Sequence, residues 1–222
     1  LNHLVASYLT DINVGRPAHT KKWWVFWRTD FPLLLFEKRK TLGFAFIFFL
    51  LSVLIGVFSA AREESFVRLI LGDAYVNMTL DNIAAGKPMG VYSQGDALEM
   101  FLRITTNNIK VAFIAFAWGL LVSAGTLWVL FQNGIMLGAF QYFFYQKGLL
   151  LHSVLSVWAH GTFEITSIVI AGGAGLVLGN SFLFPGTFPR LHSFRAGALQ
   201  GIKILAGLIP FFVIAGWIEG FI

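Results

Sequence analysis

Val111 to Gln146 runs for about 36 residues without a charge. A single straight α-helix of that length would measure roughly 54 Å. The hydrocarbon core of a bilayer is only about 30 Å thick, so this run predicts two apolar helices with a break between them. Gln132-Asn133-Gly134 is the expected turn. Composition points to the same class. The chain is 12% charged and 57% hydrophobic, with 24 Phe and 7 Trp, where a soluble domain carries roughly 25% charge. The expected fold is all-α: a polytopic transmembrane helix bundle of about five spans, with flanking amphipathic interfacial helices.

The spans are predicted at about 41–60, 110–131, 134–147, 162–179 and 199–220. Residues 1–40 read as a cytoplasmic or interfacial segment. Its basic and aromatic residues, Lys21 to Trp24 and Phe36 to Lys40 among them, suit the headgroup layer, with a helix broken near Pro32. Residues 61–109 read as an extracytoplasmic amphipathic region of two helices along the membrane, with Gly86, Pro88, Gly90 and Gly95 marking the turn. Asn180 to Ala196 reads as a loop. Pro210 is expected to kink the last span.

Seven basic residues precede the first span: Arg16, Lys21, Lys22, Arg28, Lys38, Arg39 and Lys40. The positive-inside rule places them, and the N-terminus, in the cytoplasm. The loop carrying Arg190 and Arg195 falls on the same side. The chain opens on Leu1, which fits a piece of a longer protein, and the late first span is not a signal peptide. Without cysteine there are no disulfides and no thiolate ligands. Basic residues scattered around apolar segments do not make a nucleic-acid face.

The candidate functional residues centre on His160 and Glu164. Spaced four apart, they share one helical face beside a stretch, Ile165 to Pro189, without charge. Ionisable groups in a membrane cost about 2.5–3.5 kcal/mol on insertion scales, so they are expected to face the bundle and find partners. Asn107, Asn108, Asn133 or the Arg190–Arg195 loop are the expected partners of Glu164. The preferred reading is a hydrogen-bonded pair that locks helices together. Two alternatives are a proton or ion site and a metal site. For a metal, a third ligand is missing locally, and the spacing is not that of a zinc-protease helix, so no metal and no cofactor are expected. Asn107-Asn108 reads as the N-cap of the second span. Glu219 is expected near the interface. Gly119, Gly125, Gly134, Gly138, Gly161, Gly172, Gly173 and Gly175 are expected to let helices approach closely.

Taken in order, these segments resemble the stage II sporulation protein M family of bacterial and archaeal integral membrane proteins. The resemblance rests on Asn107-Asn108 with Val111-Ala112-Phe113, Gly119, Gly125-Thr126, Asn133-Gly134, Leu137-Gly138, His160-Gly161-Thr162-Phe163-Glu164-Ile165 and Ala215-Gly216-Trp217-Ile218-Glu219-Gly220-Phe221. Thr166-Ser167 departs from a Pro-Ala-like pair more usual in the family. The resemblance implies a multi-pass protein of the bacterial cytoplasmic (inner) membrane. It singles out Glu219 and implies no established enzyme activity. In spore formers, it implies a membrane scaffold for peptidoglycan-remodelling partners during engulfment.

The expected function is therefore a non-catalytic scaffold that recruits or positions envelope proteins. Its expected partners are the lipid bilayer, other membrane or envelope proteins, and further copies of itself. A channel or transporter with a His/Glu/Asn path is the alternative, and an intramembrane metalloenzyme a lesser one.

Overall fold

The computed structural model describes residues 23–87 and 97–221. The segments 1–22 and 88–96, with their Arg16, Lys21, Lys22 and predicted Pro88–Gly95 turn, lie outside the described residues. All secondary structure among the described residues is helical. After a π-helical turn at Phe26–Asp30 come α1 (Phe31–Glu37), α2 (Arg39–Arg62), α3 (Glu64–Leu71) and α4 (Asp73–Ala84). Then follow α5 (Ala97–Ala117), a 3-10 turn at Trp118–Leu120, α6 (Ala124–Gln146), α7 (Leu150–Leu183) and α8 (Arg190–Phe221).

Among the described residues, three helices are long and apolar enough to cross a membrane: Arg39–Arg62, His160–Leu183 within α7, and Arg190–Phe221. The structure thus supports a membrane protein with three such helices, and five spans are not established by it. α2 shows the physical logic. Its buried residues Ala45, Phe49, Ser52, Gly56 and Ala60 recur every three or four positions and make one face. The opposite face exposes Ile47, Leu51, Leu54 and Phe58. A helix apolar on both faces needs lipid, or more protein, on its outer side.

Side-chain pairs fix the helix directions. Asn108 meets Glu164, and Gly175 lies against Ala115, so α5 and α7 run parallel. Ser181 abuts Gly197 while His160 meets Glu219, so α7 and α8 are antiparallel. α6 runs parallel to α2, with Gly134 against Ser52 and Gly138 against Val53. Phe31 and Leu34 of α1 are buried in the core with Leu208 and Phe212 of α8. The segment around Pro32 is therefore part of the bundle, and Pro32 opens a helix, in the first turn of α1.

Several expected boundaries are corrected. α6 runs unbroken through Gln132-Asn133-Gly134. Asn133 turns its amide back to the carbonyl of Val129, at 2.8 Å, and Gly134 accepts the side chain of Ser52, so this pair packs a helix and does not turn it. The chain reverses earlier. Val122 and Ser123 take left-handed backbone angles, with φ of 53° and 68°. The Thr126 hydroxyl donates to the carbonyl of Ala115 across this turn, at 2.7 Å.

Ala97 to Ala117 are one continuous helix, so the expected second amphipathic helix and the start of the expected second span are joined. Asn107 and Asn108 sit inside it and cap nothing. α7 starts at Leu150 and continues to Leu183, and α8 starts at Arg190. Arg190 and Arg195 are therefore exposed helical residues and not part of a loop. α8 continues through Pro210 as one helix, Arg190–Phe221.

The glycines allow the tightest approaches. A Cβ on Gly119 would overlap the backbone of Gly175, and one on Gly175 would strike Thr126 and Ala115. Gly125 fits against Trp118, Gly138 against Val53 and Val57, Gly172 against Leu130, and Gly173 against Leu42. In lipid, such close packing supplies association that the hydrophobic effect does not.

Candidate functional site

α7 carries His160 and Glu164 on one face. His160, about 15 Å along the helix from its start at Leu150, is buried, and Glu164 is partly buried. α8 packs antiparallel against this face and brings Glu219 back to it. The Glu219 Oε2 lies 3.4 Å from the His160 Nε2, and both side chains are about nine-tenths buried, at 8% and 10% exposure. α5 contributes Asn108, whose amide donates to the Glu164 Oε1. Three helices thus meet at four polar side chains.

The ligand-capable atoms of His160, Glu164 and Glu219 all lie within 4.8 Å of one another. A cavity of about 380 Å³ reaches this cluster. Asn107, Asn133 and Gly161 line it near the polar groups, and Tyr75, Phe49 and Phe140 are among its aromatic wall. It extends to Ile70 and Leu71 of α3. Along α7 its lining ends at Ile168, and Ala171 to Gly179 are all buried beyond it. The Gly-rich half of α7 therefore closes the cavity on the side where α2 begins.

The structure brings together most of the polar candidates of the sequence. His160, Glu164, Asn107, Asn108, Asn133 and Glu219 all line one cavity. Glu219 is not at an exposed interface: its carboxylate is inside the bundle. Arg190 and Arg195 take no part, because they lie at the other end of α8 from Glu219. Gly161 lines the cavity, while the other seven candidate glycines form helix contacts. Sequence reasoning missed the contribution of α4. Tyr75 sits in a weakly apolar helix, and nothing in its local pattern ties it to this cavity.

Chemically, the cluster offers one imidazole, two carboxylates and a carboxamide beside a cavity that opens to the surface at Asn107 and Met136. It can hold a cation, share protons or bind a polar group. It holds no serine, threonine or cysteine nucleophile among the described lining residues.

No curated protein matches this chain, and no solved structure does. A family model does match, over residues 45–222, from the first apolar helix through the cluster to the chain's last residue. That match covers every residue of the polar site but none of the basic-aromatic segment before α2, and it makes the chain a member of the stage II sporulation protein M family.

Proposed function

We propose that this chain is a non-catalytic membrane scaffold that recruits or positions partner proteins of the bacterial envelope. Family membership supports the reading. The observation that carries it is the shape of the cavity. It reaches exposed Asn107 and Met136 near α3 and α4, and it is closed along Ala171 to Gly179. A pocket closed at one end suits the capture of a polar group more than conduction through the bundle.

The orientation is part of the proposal. With Lys38, Arg39 and Lys40 in the cytoplasm, the cavity falls in the outer half of the membrane. That is the side on which peptidoglycan-remodelling partners work. A second reading, uptake or passage of a small solute or cation, is favoured by the six polar residues that line the cavity.

A crosslinked pull-down from native membranes separates the two. Wild type is compared with His160→Ala and Glu164→Gln. A scaffold yields specific envelope proteins that the variants lose. Wild type without partners, together with solute or ion flux in liposomes, contradicts the scaffold and supports the second reading.

A further inference from the structure

We propose that His160, Glu164 and Glu219 form a binding site for one divalent transition-metal ion, with Asn108 holding Glu164 in place and the cavity leaving one coordination position open. This goes beyond the scaffold reading and does not depend on it.

Geometry comes first. Two ligands about 2.0–2.1 Å from a tetrahedral ion lie roughly 3.3–3.5 Å apart. The His160 Nε2 and Glu219 Oε2 stand 3.4 Å apart. The Glu164 carboxylate completes a group whose ligand atoms lie within 4.8 Å of one another, so a small side-chain rotation closes the set. Three protein ligands with a fourth position facing space is the arrangement of an accessible zinc-type site. The cavity of about 380 Å³ supplies that space.

Charge is the second observation. Two carboxylates converge in a largely buried site, where an unbalanced charge is costly. No Lys or Arg is among the described residues that line the cavity. A divalent cation bound between the two carboxylates supplies the opposite charge. The Asn108 amide occupies only one oxygen of Glu164. A ligating carboxylate is commonly oriented by such a hydrogen bond. The nitrogen-and-oxygen donor set, with no sulfur, suits zinc and its first-row neighbours over soft copper(I).

The ligands come from two helices that approach from different parts of the chain. A bound ion would therefore tie α7 to α8, with α5 attached through Asn108.

The test uses the full chain in detergent, stripped with chelator and dialysed against Zn²⁺, with metal content read by elemental analysis. Thermal unfolding is followed with and without Zn²⁺. The expected result is close to one zinc per chain, with a melting temperature raised by zinc. Glu164→Gln and Glu219→Gln keep side-chain size and are expected to lose at least tenfold in affinity, along with the zinc-dependent shift. His152→Ala removes an exposed histidine two turns earlier on α7 and is expected to bind as wild type. Wild type that retains no stoichiometric zinc overturns the proposal. So does undiminished binding by folded Glu164→Gln and Glu219→Gln, or a loss of the bound zinc in His152→Ala.

Discussion

The imidazole of His160 and the carboxylate of Glu219 lie 3.4 Å apart, although they belong to different helices. α7 and α8 run antiparallel, and this pair sits where the C-terminal end of one crosses the N-terminal third of the other. Through Glu164 and Asn108 the contact extends to α5. The polar centre of the bundle is thus a junction of three helices, and its energetics can be probed one side chain at a time.

Asn108 is the partner of Glu164 in this junction. Removing it leaves a buried carboxylate without its donor, which costs about 1–3 kcal/mol. Asn108→Ala is expected to lower the melting temperature in detergent. Asn107→Ala, at an exposed position one residue away, is expected to have a much smaller effect. Equal effects of the two would show that the Asn108 contact is not made.

The α2–α6 contact depends on glycine. At Gly138 a Cβ would overlap the backbone of Val53 and crowd Val57, whereas at Gly43 nothing lies within 4 Å. Gly138→Ala is expected to destabilise by about 1–3 kcal/mol through overpacking. Gly43→Ala is expected to be neutral or to stabilise by up to about 1 kcal/mol through helix propensity. Thermal melts of the two variants side by side check the contrast.

The turn before α6 holds Val122 at φ 53°, a conformation that costs a residue with a Cβ about 1–2 kcal/mol. Its side chain is exposed, at 47%, so little packing is lost on truncation. Val122→Gly is expected to raise stability by about 0.5–1 kcal/mol, after the added freedom of the unfolded chain is subtracted. A variant less stable than wild type would mean that Val122 contributes packing the exposed position does not suggest.

The chain has no cysteine, so single-cysteine variants report sidedness cleanly. Asn107→Cys and Leu71→Cys probe the cavity end, and His192→Cys probes the start of α8. A membrane-impermeant maleimide added outside intact cells is expected to label the first two and spare the third. The reverse pattern would invert the proposed orientation.

The parts of this structure that local chemistry decides were readable in the sequence. The i, i+4 spacing of His160 and Glu164 put them on one face, and the uncharged stretch after them required that face to point inward. The glycines of α7 read as a packing surface for the same reason. Long-range geometry was not readable. Which face Glu219 presents depends on how α8 lies against α7, and no local pattern encodes that crossing. Residues 97–109 read as a separate interfacial helix because Glu99 and Arg103 interrupt the apolar pattern. In the fold, Arg103 is exposed while Thr105 and Asn108 are buried, so one helix continues through.

The misplaced break has a similar cause. Asn-Gly is a strong turn signal in isolation, but here Gly134 is needed for contact with α2 and Asn133 is satisfied by its own helix. The actual turn has Val122 and Ser123, not Gly or Asn, at its left-handed positions. Its own backbone closes it, Ser123 N–H to the Gly119 carbonyl at 3.1 Å and Ala124 N–H to the Leu121 carbonyl at 3.0 Å, and the close approach of Gly119 to Gly175 buttresses it, a contact no short window reveals.

His160 and Glu219 are expected to act as one unit inside the bundle. A double-mutant cycle tests it directly: the stabilities of wild type, His160→Ala, Glu219→Gln and the double variant, measured by thermal unfolding of metal-free protein in detergent. Residues in direct contact show coupling energies of about 0.5–3 kcal/mol, whereas independent sites add within about 0.3–0.5 kcal/mol. Coupling of at least about 1 kcal/mol is expected for this pair. Additive effects would contradict it, because the two side chains would then not share a site.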